Sequence, residues 1–164
     1  MSDFSFQTGH WLVHHRKLAE RLVGSRTWLE FRGTCSAWPL LDGMGNVEDQ
    51  WLDDPSGAYR AAALRRRDPD TGQWSIWWHD GRSASLDPPV VGRFEAGVGR
   101  FFADDTLRGM PIRVRFEWHD THTPCPRWEQ AFSADDGATW ELNWVMRFVR
   151  AKQGVSPYLG THGI

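Results

Sequence analysis

Met110-Pro-Ile-Arg-Val-Arg-Phe-Glu-Trp-His119 is the stretch on which the fold turns. Successive side chains of a strand point to opposite sides, so it splits into Ile112, Val114, Phe116 and Trp118 on one face and Arg113, Arg115, Glu117 and His119 on the other. The segments around it divide in the same way. Trp128, Gln130 and Phe132 oppose Arg127, Glu129 and Ser133, while Trp140, Leu142, Trp144, Met146 and Phe148 oppose Glu141, Asn143 and Arg147. Earlier in the chain Trp74, Ile76 and Trp78 oppose Ser75, Trp77 and His79, and Trp11, Val13 and His15 oppose His10, Leu12 and His14. The apolar sets together form one aromatic lining.

Such runs recur every eight to twelve residues or so, the rhythm of an antiparallel sandwich or barrel. Ten strands are expected, near 10–18, 26–38, 46–52, 58–67, 73–79, 90–96, 98–104, 110–119, 127–134 and 138–150. Asp68-Pro-Asp-Thr-Gly72, Ala96-Gly97, Asp104 to Gly109 and Ala134-Asp-Asp-Gly137 supply the residues that tight turns demand. Short loops make sequence neighbours pair in space, and closing the meander removes both exposed edges. The expected fold is therefore all-β: an up-and-down barrel of about ten strands, preceded by a short helical turn at Phe4-Ser-Phe6. Arg16 to Val23 also has helical spacing at Leu18 and Leu22. Residues 1–150 form a single domain, and 151–164 a Gly-rich tail.

Composition narrows the function. Nineteen Lys plus Arg against twenty-one Asp plus Glu leave a net charge of -2, so no global basic field favours nucleic acid or an anionic membrane. Asp3 stands where a signal peptide carries positive charge, and no apolar run of signal length follows it, so a cytoplasmic protein is expected. In that compartment Cys35 and Cys125 are expected as free thiols. Eleven of the 164 residues are Trp, and each buried indole removes about 150–250 Å² from water, worth roughly 4–6 kcal/mol before entropy. A ten-stranded barrel is wider than side chains alone readily fill, so the aromatic lining is expected to enclose a ligand cavity. Trp11, Trp78, Trp118, Trp128, Trp144 and Met146 would form its walls, and His15 and Gln130 its polar anchors, with Arg65 a further polar group from the fourth strand. Several indoles together also admit a cation.

Two features resemble a known family. Gly9-His-Trp11, after a helical turn and opening a strand, is similar to the G-x-W of lipocalin or calycin barrels; the resemblance implies a basic residue from the last strand, Arg147 or Arg150, over that Trp. The longer pattern comprises Gly45-Asn46, Trp74-Ser-Ile-x-Trp78, Pro88-Pro-Val-Val-Gly92-x-Phe94, Asp104-Asp-Thr-x-x-Gly109, Arg127-Trp-Glu-Gln-Ala-Phe-Ser-x-Asp135 and Trp140-Glu-x-Asn-Trp144. It resembles an uncharacterised bacterial domain-of-unknown-function family with a calycin-like barrel, over residues 3 to 150. The likeness implies a fold and no activity.

Other residue sets point to other chemistries. If the faces are displaced by one residue, the lumen instead holds Glu48, His79, Arg115, Glu129 and Asn143, a set suited to a cofactor-independent isomerase, cyclase or lyase. There Glu129 or His79 would move a proton while Arg115 and Asn143 stabilise charge. The cost of burying so many charges favours an outer surface with pairs such as Arg115 with Glu129. Haem carriage, known for related nitrobindin barrels, would use His15 or its neighbours His10 and His14. His119-x-x-His122-x-x-Cys125, with Asp120, offers zinc-type ligands, yet reads as a solvated loop, and neither metal nor cofactor is expected. Ser133-Ala-Asp135-Asp-Gly137-Ala-Thr139-Trp140 looks like an Asp-box, in single copy a hairpin device. No nucleotide loop is present. The expected partner is a small hydrophobic, planar or aromatic molecule, and Trp51 and Trp77 on the opposite faces allow a homodimer.

Overall fold

In the computed structural model, which describes residues 3–152, the chain is a closed antiparallel barrel. The strands are β1 (Gly9–Leu18), β2 (Trp28–Leu40), β3 (Gly45–Leu52), β4 (Tyr59–Arg67), β5 (Trp74–Asp80), β6 (Val90–Glu95), β7 (Val98–Leu107), β8 (Met110–His119), β9 (Arg127–Ser133) and β10 (Glu141–Arg150). Each pairs with its sequence neighbour, and β10 returns to β1, with Trp11 opposite Arg150 and Lys17 opposite Trp144. All ten expected strands form, and the architecture is consistent with a calycin-like barrel. Helical spacing at Leu18 and Leu22 is not used. β1 stays extended to Leu18, and Leu22 takes φ 58°, outside any right-handed helix. Of the expected tail, residues 153–164 lie outside the described residues.

Turn chemistry sets the register. Ala96-Gly97 has φ of 49° and 80°, and Arg108-Gly109 has 49° and 77°, so both are two-residue hairpins whose twist matches that of the strands. The second carries β7 on to Leu107, three residues beyond its expected end, and makes Asp105 a strand residue. The single Asp-box is a hairpin clamp: Asp135 Oδ1 accepts from Thr139 N at 2.8 Å and Ser133 Oγ at 2.7 Å, and Oδ2 accepts from Thr139 Oγ1 at 2.6 Å.

One end of the barrel is plugged. The 3-10 turn Ser5–Gln7 places Phe4 inside, with its ring edge-on to Trp74, Phe94 and Trp118. Trp11 Nε1 donates to Gln7 O at 2.7 Å, and the Arg150 guanidinium lies 3.7 Å above the Trp11 ring while donating to Phe6 O at 2.9 Å and to Thr8 O. Arg150, not Arg147, therefore takes the place that the G-x-W resemblance implies.

The same end buries a polar network. Glu48 Oε2 accepts from Arg65 Nη2 at 2.7 Å and from Gln7 Nε2, and Glu48 Oε1 accepts from Gln50 Nε2 at 2.8 Å. Arg65 Nη1 donates to Asn46 at 2.9 Å. Glu48, expected outside, thus lies inside because Arg65 neutralises it there; both are buried, as a charge in such a place must be paired.

A bulge corrects the last strand. The β9–β10 register shifts between Leu142 and Trp144, so Asn143 and Trp144 are both buried, and strict alternation fails on the N-terminal side. Leu142, expected in the lining, is 38% exposed, and Asn143, expected outside, is 0% exposed. Trp140, also expected inside, packs 6.0 Å from the Phe102 ring with the Arg115 guanidinium 4.6 Å from its own ring. Phe102 and Arg115 are ladder partners whose neighbours Phe101 and Phe116 fill the core. The Trp140 indole therefore lies on the outer wall.

Candidate functional site

The inner wall is continuous except beside β5. Only Trp74, Ser75 and Ile76 pair with β6, opposite Gly92, Val91 and Val90, whereas β4 pairs with β5 as far as Asp80. Trp77 to Asp80 therefore run beyond the start of β6, and the chain crosses the gap as the 81–89 loop. Pro88 and Pro89 suit that path, since proline cannot donate to a ladder.

Under this gap lies a cavity of about 70 Å³ lined by Ile76, Trp78, Asp87, Pro88, Val90, Ala103, Asp105, Val114, Phe116, Gln130 and Phe132. Its floor is aliphatic and aromatic, and its polar groups are two carboxylates and one amide. Gln130 Nε2 donates to Asn143 Oδ1 at 2.8 Å, which fixes the amide plane, while Asn143 Nδ2 is buried with no partner. A smaller void of about 10 Å³ lies deeper, between Glu48, Gln50, Trp78, Trp118, Trp128 and Met146. A wider open groove of about 550 Å³ lies outside the plugged end, among Asp3, Phe6, Phe94, Ala96 and His122; its carboxylate at Asp3 already accepts from Trp74 Nε1 at 2.9 Å.

The expected ligand residues divide by depth. Trp78 and Gln130 line the larger cavity, and Trp78, Trp118, Trp128 and Met146 line the small void. Trp11 belongs to the plug. His15 and Trp144 line neither space: Trp144 Nε1 donates to His15 Nδ1 at 3.2 Å, and the imidazole stacks on Phe31 with centroids 4.7 Å apart. Sequence reasoning missed Asp87 and Asp105. Asp87 lies in a loop without periodicity, and Asp105 falls in a segment with the composition of a turn.

Haem does not fit these residues. His15 Nδ1 is taken by Trp144, and Nε2 faces β2 so closely that a Cβ on Gly33 would stand 2.7 Å from it. A cavity of 70 Å³ is also far below the roughly 300–1,000 Å³ of ordinary ligand pockets.

The acid/base set does not assemble. Asn143 is inside the barrel, whereas Glu129 and Arg115 lie on the outer face and alternation places His79 outside on β5, well away from both in the strand order. The expected Arg115–Glu129 pair is replaced by a ladder. Register sets Glu117 opposite Glu129, and the repulsion is offset by Arg100 at 2.9 Å and Arg115 at 3.5 Å from Glu117, with Arg127 3.4 Å from Glu129. His119 Nε2 lies 2.9 Å from Glu117 Oε2 and 3.7 Å from Glu129 Oε2. Burial pushes the Glu117 carboxyl up, but hydrogen bonds from His119 and Arg100 outweigh it and hold it below its ordinary value.

Among the described residues, Glu117, His119 and Glu129 are the group whose ligand atoms approach one another closely enough for a metal; His122 and Cys125 are not gathered with His119. Three guanidiniums around two carboxylates already satisfy that cluster, so it serves as an ion-pair network. The chain matches no protein-family model and no curated protein. Among the described residues, no helix is long and apolar enough to cross a membrane.

Proposed function

We propose that the protein is a small-molecule-binding barrel that takes the apolar part of its ligand into the cavity beneath the 81–89 loop. The observation that carries this reading is the unpaired stretch of β5. There the wall lacks a strand, and the space behind it combines an apolar floor with a few convergent polar groups, the usual make-up of a ligand site. Trp78 and Phe132 are its large aromatic walls and Gln130 orients what enters.

Size limits the ligand. An apolar cavity of about 150 Å³ holds one benzene, so 70 Å³ admits only a few heavy atoms. A planar aromatic ligand of the kind the Trp content suggested would extend from the cavity into the mouth.

Titration with small apolar probes tests it, followed by tryptophan fluorescence and by the side-chain amide resonance of Gln130. Saturable quenching that is lost in Trp78→Phe is expected. Quenching unchanged in that variant, or a Gln130 resonance that no probe moves, removes the cavity as a binding site.

A further inference from the structure

Apart from the Trp78 indole, the polar side chains lining the cavity among the described residues are the Asp87 and Asp105 carboxylates and the Gln130 amide, whose oxygens are acceptors. Among the described residues, Asp87 and Asp105 are the charged groups that line it, and no Lys or Arg does. Neither carboxylate takes part in an ion pair; Asp105 Oδ1 accepts only from Thr106 N at 2.8 Å. The contrast with the rest of the mouth is sharp, since Asp80 is held by Arg82 at 2.7 Å and Asp54 by Lys17 at 3.6 Å.

A second and independent observation comes from Gln130. It is 8% exposed and lines the cavity from below; its Nε2 is committed to Asn143, which leaves Oε1 accepting no hydrogen bond. Two carboxylates, one orphan amide oxygen and the rings of Trp78, Phe116 and Phe132 thus surround a space too small for a large molecule. Aromatic faces attract cations, more strongly where water is excluded.

Resting on the binding reading above, we infer that the ligand is an organic cation, a primary or methylated alkylammonium whose charged head sits among Asp87, Asp105 and Gln130 Oε1 with its carbon chain against Val90, Val114 and Phe116. An ammonium is the chemistry that satisfies all three acceptors at once, having up to three donors and no acceptor. The electrostatics agree: burial, followed by the neighbouring Asp105 and Asp80 charges, raises the Asp87 carboxyl above its ordinary value, and His79 only partly opposes this. The free site therefore holds excess negative charge that a cation relieves.

Three ligands of four heavy atoms distinguish the possibilities: n-propylammonium, 1-propanol and acetate, each titrated as a matched-ionic-strength series while the Gln130 side-chain amide and Trp78 indole resonances are followed. Propylammonium is expected to bind in the millimolar range, at least tenfold more tightly than propanol or acetate. Asp87→Asn with Asp105→Asn should abolish that preference and leave propanol unchanged. These rim positions carry no core packing, and an unchanged melting temperature confirms that the double variant folds. Equal binding of propylammonium and propanol, unaffected by the double variant, overturns the cationic ligand while the cavity stands as a binding site. Acetate as the tightest of the three also overturns it and points to Arg21, which lies 5.8 Å from the Phe132 ring. If none of the three moves either resonance, the binding reading itself falls.

Discussion

Trp144 Nε1 donates to His15 Nδ1 between the paired strands β10 and β1, and this one bond fixes the imidazole as the neutral tautomer protonated at Nε2. Nε2 is buried without a partner. Burial, reinforced by the positive charges of Lys17 and His14 and only partly opposed by Asp54, lowers its pKa from 6.5 to about 3. Above pH 6.5 the ring is neutral folded or unfolded and contributes no pH dependence. Below it the unfolded chain takes a proton that the folded chain refuses, so stability falls by about 1.4 kcal/mol per pH unit until the folded pKa is reached. Urea unfolding at pH 7 and pH 5 should show the parent losing about 2 kcal/mol more than His15→Phe over that interval. Parallel losses would mean that the imidazole is not sealed as described.

The Glu48–Arg65 pair makes a different demand. Both groups are inside the barrel, so removing either leaves the other charged and unpaired. Glu48→Leu or Arg65→Met alone should cost about 3–5 kcal/mol. The double variant should cost less than the worse single, because it removes the orphaned charge as well as the pair. A double-mutant cycle on chemical denaturation reads this directly, and simple additivity would show that the two groups do not depend on each other.

These two sites also show where a sequence is legible. Residues 110–119 and 127–132 could be sorted because their faces differ in polarity at strict period two. β3 could not: in Asn46-Val-Glu-Asp-Gln-Trp-Leu52 the polar Asn46, Glu48 and Gln50 turn inward, and only Arg65 and Gln7, 17 and 41 residues from Glu48 in the chain, make that tolerable. In β10 the misplacement of Trp140, Leu142 and Asn143 has one cause, a bulge at a position with no glycine to mark it. The mouth of the cavity, with Asp87 and Asp105, was not legible for a related reason. It depends on β6 starting late relative to β5, and strand length is the property that alternation reports least well.

Close backbone approach at β6 gives a steric prediction. A Cβ on Gly92 would lie 1.8 Å from Arg100 O and 2.8 Å from Phe101 Cα, both main-chain atoms that cannot rotate away. Gly92→Ala should therefore lose about 3 kcal/mol or more by forcing β6 and β7 apart, at the upper end of overpacking costs. Gly97→Ala meets nothing within 4 Å and suffers only from its φ of 80°, so about 1–2 kcal/mol is expected. The comparison of urea midpoints decides it: a Gly97 variant less stable than the Gly92 variant contradicts the packing described.

The two thiols should differ in reactivity by more than exposure alone would give. Cys125 is exposed in the 120–126 loop, whereas Cys35 is buried in β2 and lies 4.0 Å from Glu48 Oε2. Burial first, and the Glu48 charge second, raise the Cys35 thiol well above its ordinary value, with Arg65 opposing. Since the thiolate is the reacting species, Cys35 is both shielded and held protonated. An aromatic disulfide reagent at pH 8 should therefore label one thiol per chain within seconds to minutes and the second only as the barrel opens. Cys125→Ser should remove the fast phase, and urea below the unfolding midpoint should accelerate the slow one in proportion to the population of open chains. Two thiols reacting at one rate in the native protein would show that the plugged end opens freely, against the seal formed by Phe4, Gln7 and Trp11.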